Sequence, residues 1–189
     1  ICALILLRFP TLPGFLAGLL AGAVLAALVG ILVGLPTLRL KGDYLAIATL
    51  GMSEIIRVVF TNLEITNGAA GLSGIPQFVN WFWLYLFSVG TVLLLLNFLN
   101  SSHGRACISI REDEMAAESV GISVTKYKVI AFTVGAFCAG IAGGLYASYF
   151  YFLKPGTFGF LKSIDVLVIV VLGGMGSMSG SILAAVLLA

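Results

Sequence analysis

Few residues of this chain have types and spacing suited to chemistry, and two of them lie in an apolar segment. Glu54 and Arg57 are three apart in the stretch from Tyr44 to Asn62, so on a helix they share a face and can pair. If this apolar stretch is a helix that crosses a membrane, its rise of about 1.5 Å per residue places Glu54 roughly 15 Å from Tyr44, near the middle of the membrane. Charges inside a span normally face protein or a water-filled cavity. The pair therefore lines or braces a pathway, or it sits at the outer membrane edge.

The remaining reactive side chains do not form a catalytic or metal-binding pattern. His103 is the only histidine, and the three cysteines have no metal-ligand spacing. A GxxxxGK[ST] phosphate loop does not occur in the sequence. We therefore expect no catalytic residue, no metal site and no cofactor. Asp165 is predicted to cap the last apolar helix together with Ser163.

The composition indicates that lipid is the solvent for most of the chain. Hydrophobic residues make up 60% of the 189 residues, charged residues make up 10%, and the mean hydropathy is +1.15. A soluble domain usually carries about 25% charged residues. The net charge of +2 is too small to indicate a nucleic-acid-binding protein.

Long apolar stretches predict an all-α, polytopic transmembrane helix bundle with interrupted helices. Glycines at four-residue spacing, as in Gly30 with Gly34 and Gly140 with Gly144, predict close contacts between helices. We expect the 189 residues to be a fragment of a single transmembrane domain. The stretch from Tyr44 to Asn62 either crosses the membrane or re-enters it. The apolar stretches comprise residues 15–35, 44–62, 78–99, 129–152 and 164–189.

Two glycine-rich breaks, NGAAGLSGIP (67–76) and LGGMGSMSG (172–180), interrupt the apolar pattern. Non-helical backbone at membrane depth needs protein or water to satisfy its polar groups. Such interrupted segments mark the substrate path in many transporters, although a close-packing hinge explains them equally well. The candidate pathway residues are Thr49, Ser53, Glu54, Arg57, Gly71, Ser73, Gly173, Gly174 and Gly176.

The distribution of basic residues predicts the orientation. Loops 37–43 and 100–128 together hold six Lys and Arg residues, against three on the other side. By the positive-inside rule, both of these loops are cytoplasmic.

The 100–128 loop contains the most informative local pattern. Acidic residues early in Arg111–Val120, good helix formers after them and then Gly121 predict a short surface helix. Ser123 or Thr125 is expected to cap the transmembrane helix that follows. A polar element of this shape suits docking into a groove on a cytoplasmic partner. A plain solvated loop helix is the alternative.

Three features of the sequence resemble a known family, and the third is the pair of glycine breaks. ABC importer permeases carry a Glu-Ala-Ala-x-x-x-Gly loop that contacts the ATPase, and Ala116-Ala117-x-x-x-Gly121 is similar to it, with Met115 in place of the first Glu. LPTLRLKGDYLAIATLGMSEIIRVV (35–59) and the two glycine breaks resemble the branched-chain amino acid ABC transporter permeases, the LivM-type inner-membrane permeases. The resemblance implies that the ATPase-coupling residues are Glu114, Ala116, Ala117, Glu118 and Gly121.

The resemblance also implies a function. A permease of this kind translocates leucine, isoleucine and valine across the bacterial inner membrane by alternating access, and it is not itself an enzyme. Its implied partners are two ATP-binding subunits, a second permease subunit and a periplasmic substrate-binding protein. Permeases of the same family carry urea or other amides. Two functions of a different class stay open: an ion-coupled secondary transporter, with Glu54, Arg57 or Asp165 as coupling groups, and a membrane scaffold.

Overall fold

The computed structural model describes residues 1–188, and its architecture is helical. Two short strands, β1 (Leu72–Ser73) and β2 (Phe152–Leu153), pair as a two-stranded sheet. Single 3-10 turns occur at Glu64–Thr66, Gly68–Ala70 and Pro155–Phe158. The predicted all-α fold class is confirmed. The helices are α1 (Cys2–Arg8), α2 (Leu12–Thr37), α3 (Asp43–Asn62), α4 (Trp81–Asn100), α5 (Ser102–Glu112), α6 (Glu114–Ser119), α7 (Val124–Tyr149), α8 (Phe160–Gly173) and α9 (Met178–Leu188).

Four helices, α2, α3, α4 and α7, are long and apolar enough to cross a membrane. They correspond to the first four predicted spans. The 20 residues of α3 form one continuous helix, about 30 Å long, which matches the hydrocarbon thickness of a bilayer. The last apolar stretch is broken into α8 and α9, at the glycine-rich break that the sequence predicts.

The chain divides into two compact units. The first comprises Ile1–Thr49 and Leu72–Phe152, and the second comprises Leu50–Gly71 and the chain from Leu153 onward. The division runs through α3. The single transmembrane domain expected from the sequence stays a prediction.

In the first unit, α2 packs closely on α7 because small residues face one another. A Cβ atom placed on Gly30 would lie 2.7 Å from the Cβ of Ala136. One placed on Gly140 would lie 2.7 Å from the Cα of Ala23 and 2.8 Å from the Cβ of Ala26. Any side chain at these two glycines would force the helices apart. The close contact expected from the glycine spacing is confirmed here.

Aromatic contacts attach α4 to the same unit. The fully buried ring of Phe15, in the first turn of α2, meets Trp83 and Phe87 edge-on at centroid distances of 6.1 and 6.4 Å. Trp83 in turn stacks on Phe87 at 5.9 Å. Offset and edge-to-face arrangements are the favoured geometries for such rings.

In the second unit, glycines at the break allow α8 and α9 to approach each other. A Cβ on Gly173 would lie 2.5 Å from the Cα of Ser181. Gly174 and Gly176 have φ angles of +87° and +97°, a region that residues with side chains rarely adopt. The break is therefore a tight turn between two short helices.

The predicted cap at Asp165 is wrong. The last apolar segment becomes helical at Phe160, with Gly159 at the N-cap, so Asp165 lies inside α8 rather than at its start. Its carboxylate pairs with Lys162 one turn earlier, at 3.4 Å between Oδ2 and Nζ. Both side chains are exposed. The helix start is predicted too late because Lys162 interrupts the apolar run, so the run is taken to begin at Ile164.

Candidate functional site

The polar loop of the first unit begins with a helix break at Asp113. The sequence predicts one helix over Arg111–Val120, but the structure has two helices, α5 and α6, separated by this single residue. Asp113 adopts an extended conformation, with φ −153° and ψ 112°. Its carboxylate Oδ1 accepts hydrogen bonds from the backbone N–H groups of Met115 (2.8 Å) and Ala116 (3.0 Å). Asp113 is therefore the N-cap that starts α6.

A glycine-dependent turn ends α6. Gly121 has a φ of +85°, and its N–H donates to the carbonyl of Glu118 at 3.0 Å. The N–H of Ile122 donates to the carbonyl of Ala117 at 3.1 Å. This pair of bonds is the Schellman motif, which satisfies the last carbonyls of a helix. Gly121 is needed for its backbone angle, as the sequence predicts for a residue just past a helix end.

The next helix starts where the sequence predicts, but without the predicted side-chain cap. Ser123 occupies the N-cap position of α7, and its side chain makes no capping hydrogen bond. Thr125 lies inside the helix. The apolar side chains around the turn hold this start in place instead.

The inner face of α6 contributes to a small apolar core. Ala117 is 2% exposed and packs with Ile110 of α5 and Val124 of α7, and Ile122 and Tyr127 cover the cluster. The small side chain of Ala117 suits this crowded position. Ala117 is therefore a supporting residue, whose contacts are made within its own loop.

The outer face of α6 is exposed and partly apolar. Met115 is 81% exposed, and Ala116 and Glu118 are also exposed; Val120, the C-cap residue directly after the helix, is 75% exposed. Sequence reasoning selected Ala116 and Glu118 but missed Met115 and Val120. The sequence feature that could have identified these two residues is that they are apolar residues in an otherwise polar loop.

Glu114, in the first turn of α6, is ion-paired with two lysines. Its Oε2 accepts a hydrogen bond from Nζ of Lys128 in α7 at 2.8 Å, and its Oε1 lies 3.4 Å from Nζ of Lys41, which follows α2. The hydrogen bond from Lys128 is the main reason why the pKa of Glu114 is lowered, against a smaller effect of desolvation. The sequence did not indicate either lysine partner.

These contacts place two loops on the same side of the first unit. Lys41 belongs to the 37–43 loop, whereas Glu114 and Lys128 belong to the 100–128 loop. The sequence predicts that both loops share one side of the membrane, and the ion pairs confirm that part of the prediction. Which side faces the cytoplasm stays a prediction.

The second group of candidate residues lies along α3. Thr49, Ser53 and Arg57 follow one another at four-residue spacing, and Glu54 lies beside Arg57. Nε of Arg57 donates to both carboxylate oxygens of Glu54 at 3.0 Å, and its Nη2 makes a further close contact with Oε1. The predicted pair is therefore formed. Thr61, which sequence reasoning missed, extends the same stripe by one more step of four.

The hydroxyl groups of this stripe are turned toward the helix backbone. Thr49 donates to the carbonyls of Leu45 and Ala46, each at 2.9 Å. Ser53 donates to Leu50 at 2.8 Å. Their oxygen lone pairs remain as acceptors, so the stripe offers acceptors and one neutralised ion pair rather than a row of free donors.

The glycine candidates have conformational explanations of their own. Gly71 has a φ of +78°, and a Cβ there would collide with the carbonyl of Leu153. Ser73 is an exposed residue of β1. Gly173, Gly174 and Gly176 form the turn between α8 and α9. Among residues 1–188, no hydrogen bond or ion pair joins these glycines to Glu54 or Arg57.

Comparison with known proteins decides the family. A family model described as the permease component of branched-chain amino acid transport systems matches residues 1–189. The chain belongs to this family. No solved structure matches it with significance.

Curated members of the family include close relatives. The high-affinity branched-chain amino acid transport system permease protein LivM of Salmonella typhimurium is 43% identical over 188 residues, covering 81% of this chain and 44% of that protein. LivM of Escherichia coli is 42% identical over the same coverage. The probable LivM of Methanocaldococcus jannaschii is 32% identical, covering 77% of this chain and 46% of that protein. The chain thus spans somewhat less than half the length of these relatives.

Family membership and structure together establish the broad class of the protein. Its family is a transport component, and four helices are long and apolar enough to span a membrane. The chain is therefore part of a multi-pass membrane permease.

Proposed function

We propose that this chain is part of the membrane-spanning subunit of an ATP-driven ABC importer. It translocates leucine, isoleucine and valine across the bacterial inner membrane by alternating access. ATP is hydrolysed in two separate ATP-binding subunits, while a second permease subunit completes the pathway and a periplasmic binding protein delivers the substrate. The relatives are named as permeases of high-affinity branched-chain amino acid transport systems, which supports this substrate class.

The observation that carries the proposal is the construction of α6. The helix is only six residues long, yet an Asp cap, a Schellman turn, a buried alanine and an ion-paired glutamate fix it in place. Short helices are marginal in water without such support. A rigid helix that exposes Met115, followed by the exposed C-cap residue Val120, suits docking into a partner's groove.

The residues of α3 provide a second line of support for the proposal, because they suit the lining of a substrate pathway. Desolvated charges are tolerated in a span when they are paired and face protein or water. Glu54 and Arg57 meet the first condition, and the hydroxyl oxygens of Thr49 and Ser53 lie on the same stripe. We propose that this stripe faces the substrate path. The turn at Gly173, Gly174 and Gly176 and the Gly71–Ser73 connection remain proposed lining elements.

The docking part of the proposal is tested by co-purification. The tagged full-length permease is expressed with its candidate ATPases as wild type, Met115→Arg or Val120→Arg, and extracted from membranes. Because a few central side chains dominate most interfaces, we expect each variant to retain about tenfold less ATPase than wild type. Ala117 is a poor choice for this purpose because an arginine there would disrupt the core of the loop.

Ile65→Arg provides the matched control. Ile65 is also an exposed apolar residue, at 68%, but it lies in the connection after α3, on the predicted outer side. This variant should retain its ATPases. If wild type retains no ATPase and the purified protein takes up leucine under an ion gradient alone, the proposal is overturned in favour of a secondary transporter. Competition of leucine uptake by isoleucine, valine and urea separates the two substrate classes of the family.

A further inference from the structure

The ion pairs of Glu114 have a consequence for how motion passes through the first unit. Glu114 lies on α6, Lys128 lies on α7, and Lys41 lies in the turn between α2 and α3. One carboxylate, at the start of the short helix, therefore connects α6 to the first turns of α7 and to the turn that follows α2. Both carboxylate oxygens are used, one for each lysine.

The two long helices next to these contacts, α2 and α7, pack closely against each other. Gly30 and Gly140 leave no room for a side chain between them. A displacement that reaches both helices at one end is therefore expected to move them as a pair, because their backbones are in close contact at these two glycines. The connection through Glu114 lies at the end where the exposed face of α6 is found.

Glu114 is placed inward, away from the surface that α6 offers to a partner. Its side chain is 31% exposed, and that of Lys128 is 28% exposed. Glu118, on the same helix, is exposed and has no ion-pair partner among residues 1–188. The two glutamates of α6 therefore face different directions. Glu114 faces the rest of the unit, which suits an internal role, whereas Glu118 faces outward, which suits a docking role.

We propose that Glu114 is a positioning residue for coupling: its carboxylate links α6 to Lys41 and Lys128, so that movement of α6 reaches α2 and α7 together. The inference rests on the proposed function and deepens it. Glu114 holds the helix to the rest of the unit, while Met115 and Val120 contact the ATPase. Loss of the link then uncouples ATP hydrolysis from transport without releasing the ATPase.

The test uses the full-length transporter with its partners in proteoliposomes. Transport of leucine per ATP hydrolysed and the amount of co-purified ATPase are measured for wild type, Glu114→Gln and Glu112→Gln. We expect Glu114→Gln to retain the ATPase but to lose about fivefold in transport per ATP, a typical size for coupling between sites. Glu112→Gln removes the same charge from an exposed glutamate two residues earlier in the loop and should match wild type in this ratio.

A charge reversal separates the ion pair from a mere loss of folding. In the double variant Glu114→Lys with Lys128→Glu, the pair is restored with opposite polarity, and we expect transport per ATP to recover substantially. Size-exclusion profiles in detergent check that each variant is folded, and Lys128→Gln replaces Glu114→Gln if the latter is not.

Each remaining outcome contradicts the inference in a distinguishable way. Equal coupling ratios for Glu114→Gln and Glu112→Gln would show that the link carries no motion. Loss of the ATPase from Glu114→Gln would place Glu114 in the docking surface itself. Failure of the charge reversal to restore coupling would rule out the Lys128 pair as the cause. If wild type itself binds no ATPase, the proposed function fails first, and the inference fails with it.

Discussion

The carboxylates of Glu54 and Glu114 are both ion-paired, but the two sets of ion pairs have different structural roles. Glu54 pairs with Arg57 three residues later, inside the part of α3 that belongs to the second unit. Glu114 pairs with two lysines from other parts of the first unit. The local pair neutralises charge within a span and links no second element. The non-local pairs lie in the polar loops and at the polar start of α7, and they join segments that are distant in sequence.

The difference shows how location determines what an ion pair contributes. Inside a membrane, the alternative to pairing is an unpaired charge in hydrocarbon, so the pair matters for insertion. At the water-exposed loop, each partner would be well solvated alone, so the pair adds little to stability. The pair instead fixes where α6 lies relative to Lys41 and Lys128.

The largest effect is expected from breaking the local pair. Arg57→Leu leaves Glu54 without its partner inside α3, and we expect the level of the protein in membranes to fall severalfold, as measured by quantitative immunoblotting. The double variant Glu54→Gln with Arg57→Gln has no charge to neutralise and should accumulate close to wild type. If Arg57→Leu accumulates normally, Glu54 is solvated and the contrast between the two pairs disappears.

An intermediate effect is expected from removing the cap that positions Glu114. Asp113→Ala deletes the acceptor for two backbone N–H groups, which costs about 1 kcal/mol and corresponds to roughly fivefold faster exchange if α6 opens locally. Hydrogen–deuterium exchange of the α6 peptide in the full-length protein measures this. Asp113→Asn keeps a capping oxygen and should exchange nearly as slowly as wild type. Equal exchange of both variants with wild type would mean that the core around Ala117 holds α6 alone.

The smallest effect is the pH dependence of the Glu114 pair. Because the pKa of Glu114 is lowered in the folded state, its contribution to stability is present above the unfolded-state pKa of about 4.3 and is lost as pH falls through the lower folded value. We expect a small excess in the melting temperature of wild type over Glu114→Gln at neutral pH. This excess should shrink below about pH 4.3. An excess that grows on acidification would contradict the assigned direction.

Sequence patterns predicted the long helices well because their signal is strong and local. The four predicted spans agree within a few residues with α2, α3, α4 and α7, since apolar length alone determines a crossing helix. The ends were less accurate. The apolar run alone, for example, places the start of the last of these spans at Val129, because Lys126 and Lys128 precede it, whereas α7 begins at Val124, directly after the predicted cap Ser123.

The coupling loop was predicted only in part. The short helix, its glycine end and the general position of its acids followed from local preferences. Helix α5 was missed because its sequence, SHGRACISIRE, has neither a clear apolar period nor strong helix formers. The partners of Glu114 could not be inferred, since a salt bridge between distant elements leaves no spacing rule in the sequence. The exposure of Met115 and the burial of Ala117 likewise depend on how three elements meet.

The one-residue connection between α5 and α6 also limits how the two helices can be arranged. With only Asp113 between them, the direction of α6 relative to α5 depends mainly on two torsion angles, now φ −153° and ψ 112°. These lie in the broad extended basin, where rotation over tens of degrees meets no steric barrier. The backbone of the junction alone would therefore leave the direction of α6 soft, and it is the packing of Ala117 and the ion pairs of Glu114 that fix it. Proline, whose ring holds φ near −65°, is incompatible with its present setting.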